Sequence, residues 1–146
     1  MAIFQRRPED YVLGADTIVV IDDTILGKPR DRNDAARMLR LLSGRIHSVI
    51  TGVCLAGPVA HRLPVASKTG TLNTTSASTC VTMCELSDDE IREYIATGEP
   101  MDKAGAYAIQ GIASRWIPRI EGDYSNVVGL PVALVYAMLK KQGGIG

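Results

Sequence analysis

Three things are missing from this sequence, and each absence removes a class of function. There is no net charge: sixteen Lys and Arg balance sixteen Asp and Glu. Without a global field to recruit a nucleic-acid polymer, any anionic ligand has to be held by a local cluster. There is no paired cysteine arrangement either. Cys54, Cys80 and Cys84 are odd in number, and neither His47 nor His61 stands at a ligand spacing from them. That excludes a structural zinc site and predicts reduced, mostly buried thiols. Finally, no stretch approaches the roughly 20 apolar residues of a membrane span, and the start, Met1 to Pro8, lacks the apolar core of a signal peptide. The expected compartment is the cytoplasm.

What is present suits one globular domain. The 146 residues are 22% charged and 46% hydrophobic, a balance that can bury a core. Tyr11 to Ile21 is short and rich in Val and Ile, as a buried strand is. Asp22-Asp23-Thr24 reads as a turn, and Ile25 to Gly27 as a second short strand. From Asp31 a helix is expected: Ala35, Met38, Leu39 and Leu42 make one apolar stripe, Asp31 caps the start and Gly44 follows the end. His47 to Ala56 is a strand, with a reversal through Gly57-Pro58. Ser67 to Thr82, dominated by Thr and Ser, is expected to be a half-exposed strand, against the competing reading of a Ser/Thr-rich linker. Ser87-Asp88-Asp89-Glu90 is a capping box opening a short helix with Ile91, Tyr94 and Ile95 on its apolar face and its end near Gly98. Asp102 to Gln110 reads as a loop running into a strand, and Arg115 to Ile120 as a strand followed by a turn at Glu121-Gly122-Asp123. Pro131 opens a last helix with Leu130, Leu134, Ala137 and Met138 as its stripe. Strands alternating with helices imply an α/β domain with a mixed sheet.

Three polar clusters interrupt this pattern. Asp16, in Gly14-Ala15-Asp16-Thr17, places a carboxylate inside a strand read as buried. It is either a general base or metal ligand, or a core aspartate satisfied by hydrogen bonds. Lys28-Pro29-Arg30 is either a phosphate clamp or a solvated basic turn. In the run from Asp102 to Gly111, small residues admit close backbone approach to a ligand. There Lys103 could meet phosphate, Asp102 a metal, and Gln110 a base edge, or the run is a tight loop with surface charges. No Gly-x-x-x-x-Gly-Lys-Ser/Thr phosphate loop occurs. Nor does the Asp-x-Asp of dehalogenase-type phosphatases, since Asp16 is followed by Thr17-Ile18.

In order along the chain, LGADTIVV, GKPRD, LSGRIHSVITGV, GEPMDKAGAYAIQG and NVVGLP resemble the successive signatures of Maf proteins. The resemblance runs from Val12 to the last helix. It implies an elongated α/β fold with a mixed twisted sheet and a central cleft, similar to that of inosine triphosphate pyrophosphatases. It also implies hydrolysis of a nucleoside triphosphate between the α and β phosphates, aided by a divalent cation, Mg or Mn. Matched by motif, Asp16 would be the proton acceptor for the attacking water, Thr17 would help set substrate choice, Lys28 would contact phosphates and Gln110 would read the base. Lys103 and Asp102 would line the same cleft, with Asp16 and Asp102 toward the metal. The block from Asp102 to Gly111 resembles the dTTP/UTP branch more than the branch acting on methylated GTP, and the resemblance points to a homodimer. Family members also open with a strand and a Ser-x-Ser-Pro-Arg-Arg-like turn that grips the triphosphate. Arg6-Arg7 has no Ser-Pro before it, so residues 1–146 are expected to be a single Maf-like domain without that segment. A catalytically weak nucleotide-binding remnant is the alternative expectation.

Overall fold

The structure, a computed structural model, describes residues 10–57 and 71–143. Five strands form one sheet in the order β2-β1-β3-β4-β5. They are β1 (Val12–Ile21), β2 (Thr24–Leu26), β3 (Ile46–Gly57), β4 (Thr71–Thr82) and β5 (Arg119–Glu121). The α/β class expected from the sequence holds. Each of the four described pairings is antiparallel, however, so the sheet is not mixed over these residues. For β1 and β2 the reason is visible in the connection: Asp22 and Asp23, both at positive φ, turn β1 straight back into β2, and antiparallel neighbours need no crossover between them.

Among the described residues four helices accompany the sheet: α1 (Arg32–Leu42), α2 (Asp88–Ala96), α3 (Tyr124–Val128) and α4 (Val132–Lys141). The first begins where Asp31 accepts a hydrogen bond from the Asp34 amide at 2.7 Å, and Gly44 beyond its end adopts φ 68°. The capping box of α2 forms in both directions, Glu90 N to Ser87 Oγ and Ser87 N to Glu90 Oε1, each 3.1 Å. Ala35, Met38, Leu39 and Leu42 are all buried, as their spacing predicts.

The core lies on one face of the sheet. Along β3 every second residue from His47 to Leu55 is buried, the two-residue period of a strand with one covered face. Val49 belongs to a large cluster with Val19, Leu39, Met83, Tyr94 and Trp116. Val53 and Leu55 belong to a smaller one with Val135 and Met138 of α4. Between the two clusters sits Thr51, fully buried and polar.

Several local expectations need correction. The segment from Glu99 to Trp116 holds no strand; it is three short 3-10 turns, Glu99–Asp102, Ala104–Ala106 and Ile112–Trp116. Gly98 and Gly105, at φ 79° and 72°, wind the chain repeatedly, a conformation glycine adopts without a Cβ penalty. The strand expected from Arg115 starts only at Arg119. The buried face of α4 is Val135 and Met138 with Leu134 and Leu139 beside them, while Leu130 and Ala137 are exposed. The thiols are not mostly buried: Cys80 and Cys84 are exposed and Cys54 is partly so. Cys80 lies between buried Thr79 and Val81, hence on the opposite, solvent-facing side of β4. The reversal at Gly57-Pro58 and the start of the Ser/Thr-rich run, residues 67–70, fall outside the described residues. From Thr71 the run is strand rather than linker.

Candidate nucleotide site

The six residues singled out from separate stretches of sequence, Asp16, Thr17, Lys28, Asp102, Lys103 and Gln110, all line one cavity of about 250 Å³. Val19, Val49 and Tyr107 give it an apolar lining, and the end of α3 with Gly129, Val127 to Gly129, lines it as well. Apolar walls with a few converging polar groups are the usual make-up of a small-molecule site.

Backbone contacts explain the convergence. Gly105 donates its amide to the Gly27 carbonyl at 3.1 Å. A Cβ at Gly105 would stand 2.8 Å from Val19 Cγ2, so glycine lets this 3-10 turn press onto β1. The contact sets Lys103, just before the turn, beside the same cavity as Lys28, which follows β2. Farther on, the Ala108 amide donates to the Tyr94 hydroxyl at 3.1 Å. Gly111 packs against Glu99, whose Oε1 would lie 1.8 Å from an added Cβ and accepts from the Ile112 amide. These contacts hold the stretch leading to Gln110.

Asp16 is not the buried carboxylate its strand suggested. It is exposed, because β2 pairs with β1 only at Val19, Val20 and Ile21, and the part of β1 carrying Asp16 pairs with β3 alone among the described strands. Its carboxylate makes no hydrogen bond or ion pair to a described residue, which leaves it open to water. Lys28 is likewise exposed and free of ion pairs to described residues. Its neighbour Arg30 is not part of a clamp; its side chain, 85% exposed, stands 3.6 Å from Asp34 and does not line the cavity. Asp102 and Lys103 approach to 3.5 Å with both side chains largely exposed, a pairing worth little in water and easily exchanged for a ligand.

Thr17 does something the sequence did not suggest. Its hydroxyl shares a 2.9 Å hydrogen bond with Thr51 Oγ1 and reaches the Gly129 carbonyl at 3.4 Å. When Thr17 supplies the proton of the shared bond, the Thr51 hydroxyl is free to donate to the Asn126 carbonyl at 3.4 Å. Asn126, fully buried, sends its Nδ2 toward Val49 O, Ala77 O and Thr79 Oγ1 at 3.1, 3.2 and 2.9 Å. A polar seam thus joins β1, β3 and β4 to α3 and to Gly129 just after it. In the sequence, the cue was NVVGLP preceded by Asp123, which caps α3 through Ser125 N at 2.9 Å. Sequence reasoning also passed over His47 and Tyr107, whose Nε2 and hydroxyl meet at 2.6 Å in the core.

The donor set bears on the divalent cation that the resemblance implies. Among the described residues no three His, Cys, Asp or Glu side chains cluster as metal ligands. Two exposed carboxylates, Asp16 and Asp102, do line the cavity. That arrangement fits Mg-type ions, which take one or two carboxylates and fill the remaining positions with water and substrate phosphate.

A profile of the Maf-like protein family matches residues 1–142. The chain belongs to that family. A dTTP/UTP pyrophosphatase of Koribacter versatilis (strain Ellin345) is 54% identical over 142 residues, 97% of this chain and 68% of the relative. One of Geobacillus sp. (strain WCH70) is 49% identical, spanning 97% and 70%. One of Syntrophotalea carbinolica is 50% identical over 143 residues, spanning 96% of this chain and 61% of the relative. The chain therefore spans about two thirds of the length of these Maf relatives, and the matched part contains every residue of the cavity. No helix among the described residues is long and apolar enough to cross a membrane.

Proposed function

We propose that this Maf-family chain is a nucleoside triphosphate pyrophosphatase that converts dTTP and UTP to the monophosphate and pyrophosphate. The observation that carries the reading is the convergence of Asp16, Lys28, Asp102, Lys103 and Gln110 on one cavity. The names of the relatives supply the substrate class.

In this reading Asp16, exposed and without an ion pair to a described residue, takes a proton from the water that attacks the α-phosphorus. The bond from that phosphorus to the bridging oxygen breaks, and pyrophosphate leaves. Lys28 and Lys103 hold the phosphates and offset the charge that accumulates on their oxygens, the main demand of this chemistry. Gln110 presents an amide that donates and accepts, which matches the imide edge shared by thymine and uracil. Thr17, tied to Thr51 and Gly129, lines the same cavity and helps shape it. A divalent cation held by Asp16 and Asp102 would add positive charge at the phosphate oxygens.

The test is product analysis. The chain is incubated with dTTP, UTP and GTP and magnesium, and nucleotides and phosphates are separated. Monophosphate and pyrophosphate in equal amounts from dTTP and UTP, with GTP turned over more slowly, is the expected result. Diphosphate with orthophosphate would place cleavage at the wrong bond. No turnover, with nucleotide still bound, would reduce the chain to a nucleotide-binding member of the family.

A further inference from the structure

We propose that the buried hydrogen bond between His47 and Tyr107 is a positioning device that fixes the Lys103–Gln110 segment against the central strand of the sheet. The inference rests on the pyrophosphatase reading for its kinetic consequence, but not for its structural one.

Tyr107 lies midway between Lys103 and Gln110 and forms part of the cavity lining. Its hydroxyl is 2.6 Å from His47 Nε2, and the two rings meet edge to face with centroids 5.4 Å apart. His47 and Tyr107 are only 2% and 6% exposed. His47 does not line the cavity, so it reaches a ligand only through Tyr107.

The partner strand gives the bond its meaning. The segment's other hydrogen bonds to these elements run to Gly27 after β2 and to Tyr94 of α2, while Gly105 packs on Val19 of β1 without one. His47 instead belongs to β3, which pairs residue by residue with β1 and places Gly52 opposite Asp16. The His47–Tyr107 bond therefore registers the segment bearing Lys103 and Gln110 against the strand pair bearing Asp16.

Burial lowers the His47 pKa to about 4, so the ring is neutral near pH 7 and has one donor nitrogen. Either Nε2 or the Tyr107 hydroxyl supplies the proton of this bond, and among the described residues His47 Nδ1 has no hydrogen-bond partner.

The experiment compares the wild-type chain with Tyr107→Phe, His47→Leu, His47→Gln and the Leu/Phe double variant. Gln places an amide near the former Nε2 and serves as the conservative rescue. Hydrogen exchange is read at the backbone amides of residues 103–110 without nucleotide, and KM and kcat are read with dTTP. Loss of one net buried hydrogen bond corresponds to roughly fivefold. We expect about that rise in KM in Tyr107→Phe and His47→Leu, because Lys103 and Gln110 bind the substrate, with any fall in kcat through the Lys103 charge no larger than the rise in KM. Exchange in the segment should quicken by about the same factor. His47→Gln should behave close to wild type, and the double variant no worse than either single one. A fall in kcat at constant KM would mean only a smaller folded fraction and would overturn the positioning role. Unchanged exchange in Tyr107→Phe would overturn it outright. If the wild-type chain turns over no nucleotide, the pyrophosphatase reading fails, and amide exchange alone decides the inference.

Discussion

Acid should weaken this protein in a window that belongs to one side chain. His47 is buried in β3 and burial lowers its pKa from 6.5 to about 4. The unfolded chain takes up a proton at this position below about pH 6.5, whereas the folded chain resists protonation until about pH 4. Between these values the unfolded state binds more protons, so stability falls as pH falls. Above the window the contribution is fully present; below it both states are protonated and the slope ends. A tenfold difference in proton affinity is about 1.4 kcal/mol, so the full window amounts to on the order of 3 kcal/mol. That is a large part of the roughly 5–15 kcal/mol that holds a domain together. Asp34 and Glu90 are also displaced downward, chiefly by backbone hydrogen bonds from Arg30 and Ser87, but from ordinary values of 3.8 and 4.5, so their losses come at more acid pH. Urea unfolding is followed by the emission of Trp116, the single tryptophan, which is buried against Tyr94. Wild type should lose stability steadily from about pH 6.5 to about pH 4.5, and His47→Gln should be much flatter over that range. His61, outside the described residues, is common to both proteins and cancels in the comparison. Equal slopes in the two proteins would refute the argument.

Three further outcomes follow from particular contacts. Gly105→Ala should destabilise by about 1–3 kcal/mol, since the residue is at φ 72° and its Cβ would meet Val19 at 2.8 Å; a thermal melt unchanged within error would contradict this. Asn126→Ala removes the Nδ2 contacts to β3 and β4 and should cost about 2–4 kcal/mol, measured by urea unfolding; Asn126→Asp should not rescue it, because a carboxylate has no hydrogen to donate. In the native chain Cys80 and Cys84 should react promptly with a thiol reagent and Cys54 more slowly; equal rates for all three would mean that Cys54 is as open as the others.

Much of the fold was legible because local signals agreed with tertiary packing. The stripe of α1, its Asp31 cap and the capping box of α2 are short-range patterns, and each appears where the spacing puts it. Long-range pairing was not legible. Nothing local in Val12 to Ile18 says which neighbours those residues will have, so Asp16 read as buried although β2 leaves that part of β1 uncovered. The chain after Gly98 misled for a different reason: its small residues permit extended structure, but Gly98 and Gly105 at positive φ coil it into 3-10 turns. In the last helix the apolar residues are dense enough to offer two overlapping stripes, and contact with Val53 and Leu55 of β3 selects Val135 and Met138. The candidate site was legible as residue types. The seam through Thr17, Thr51 and Asn126 was not, because its members are up to 112 positions from their partners and none is charged.

The central claim is that the cavity is catalytic and that Asp16 activates water within it. The most direct measurement follows dTTP turnover and dTTP affinity side by side for the wild-type chain and Asp16→Asn. Loss of a positioned general base alone corresponds to about 10²–10⁴-fold in rate. The account predicts a loss of that order in monophosphate formation by the variant, with nucleotide affinity retained within about tenfold because Lys28, Lys103 and Gln110 remain. Turnover in Asp16→Asn close to that of wild type would contradict it.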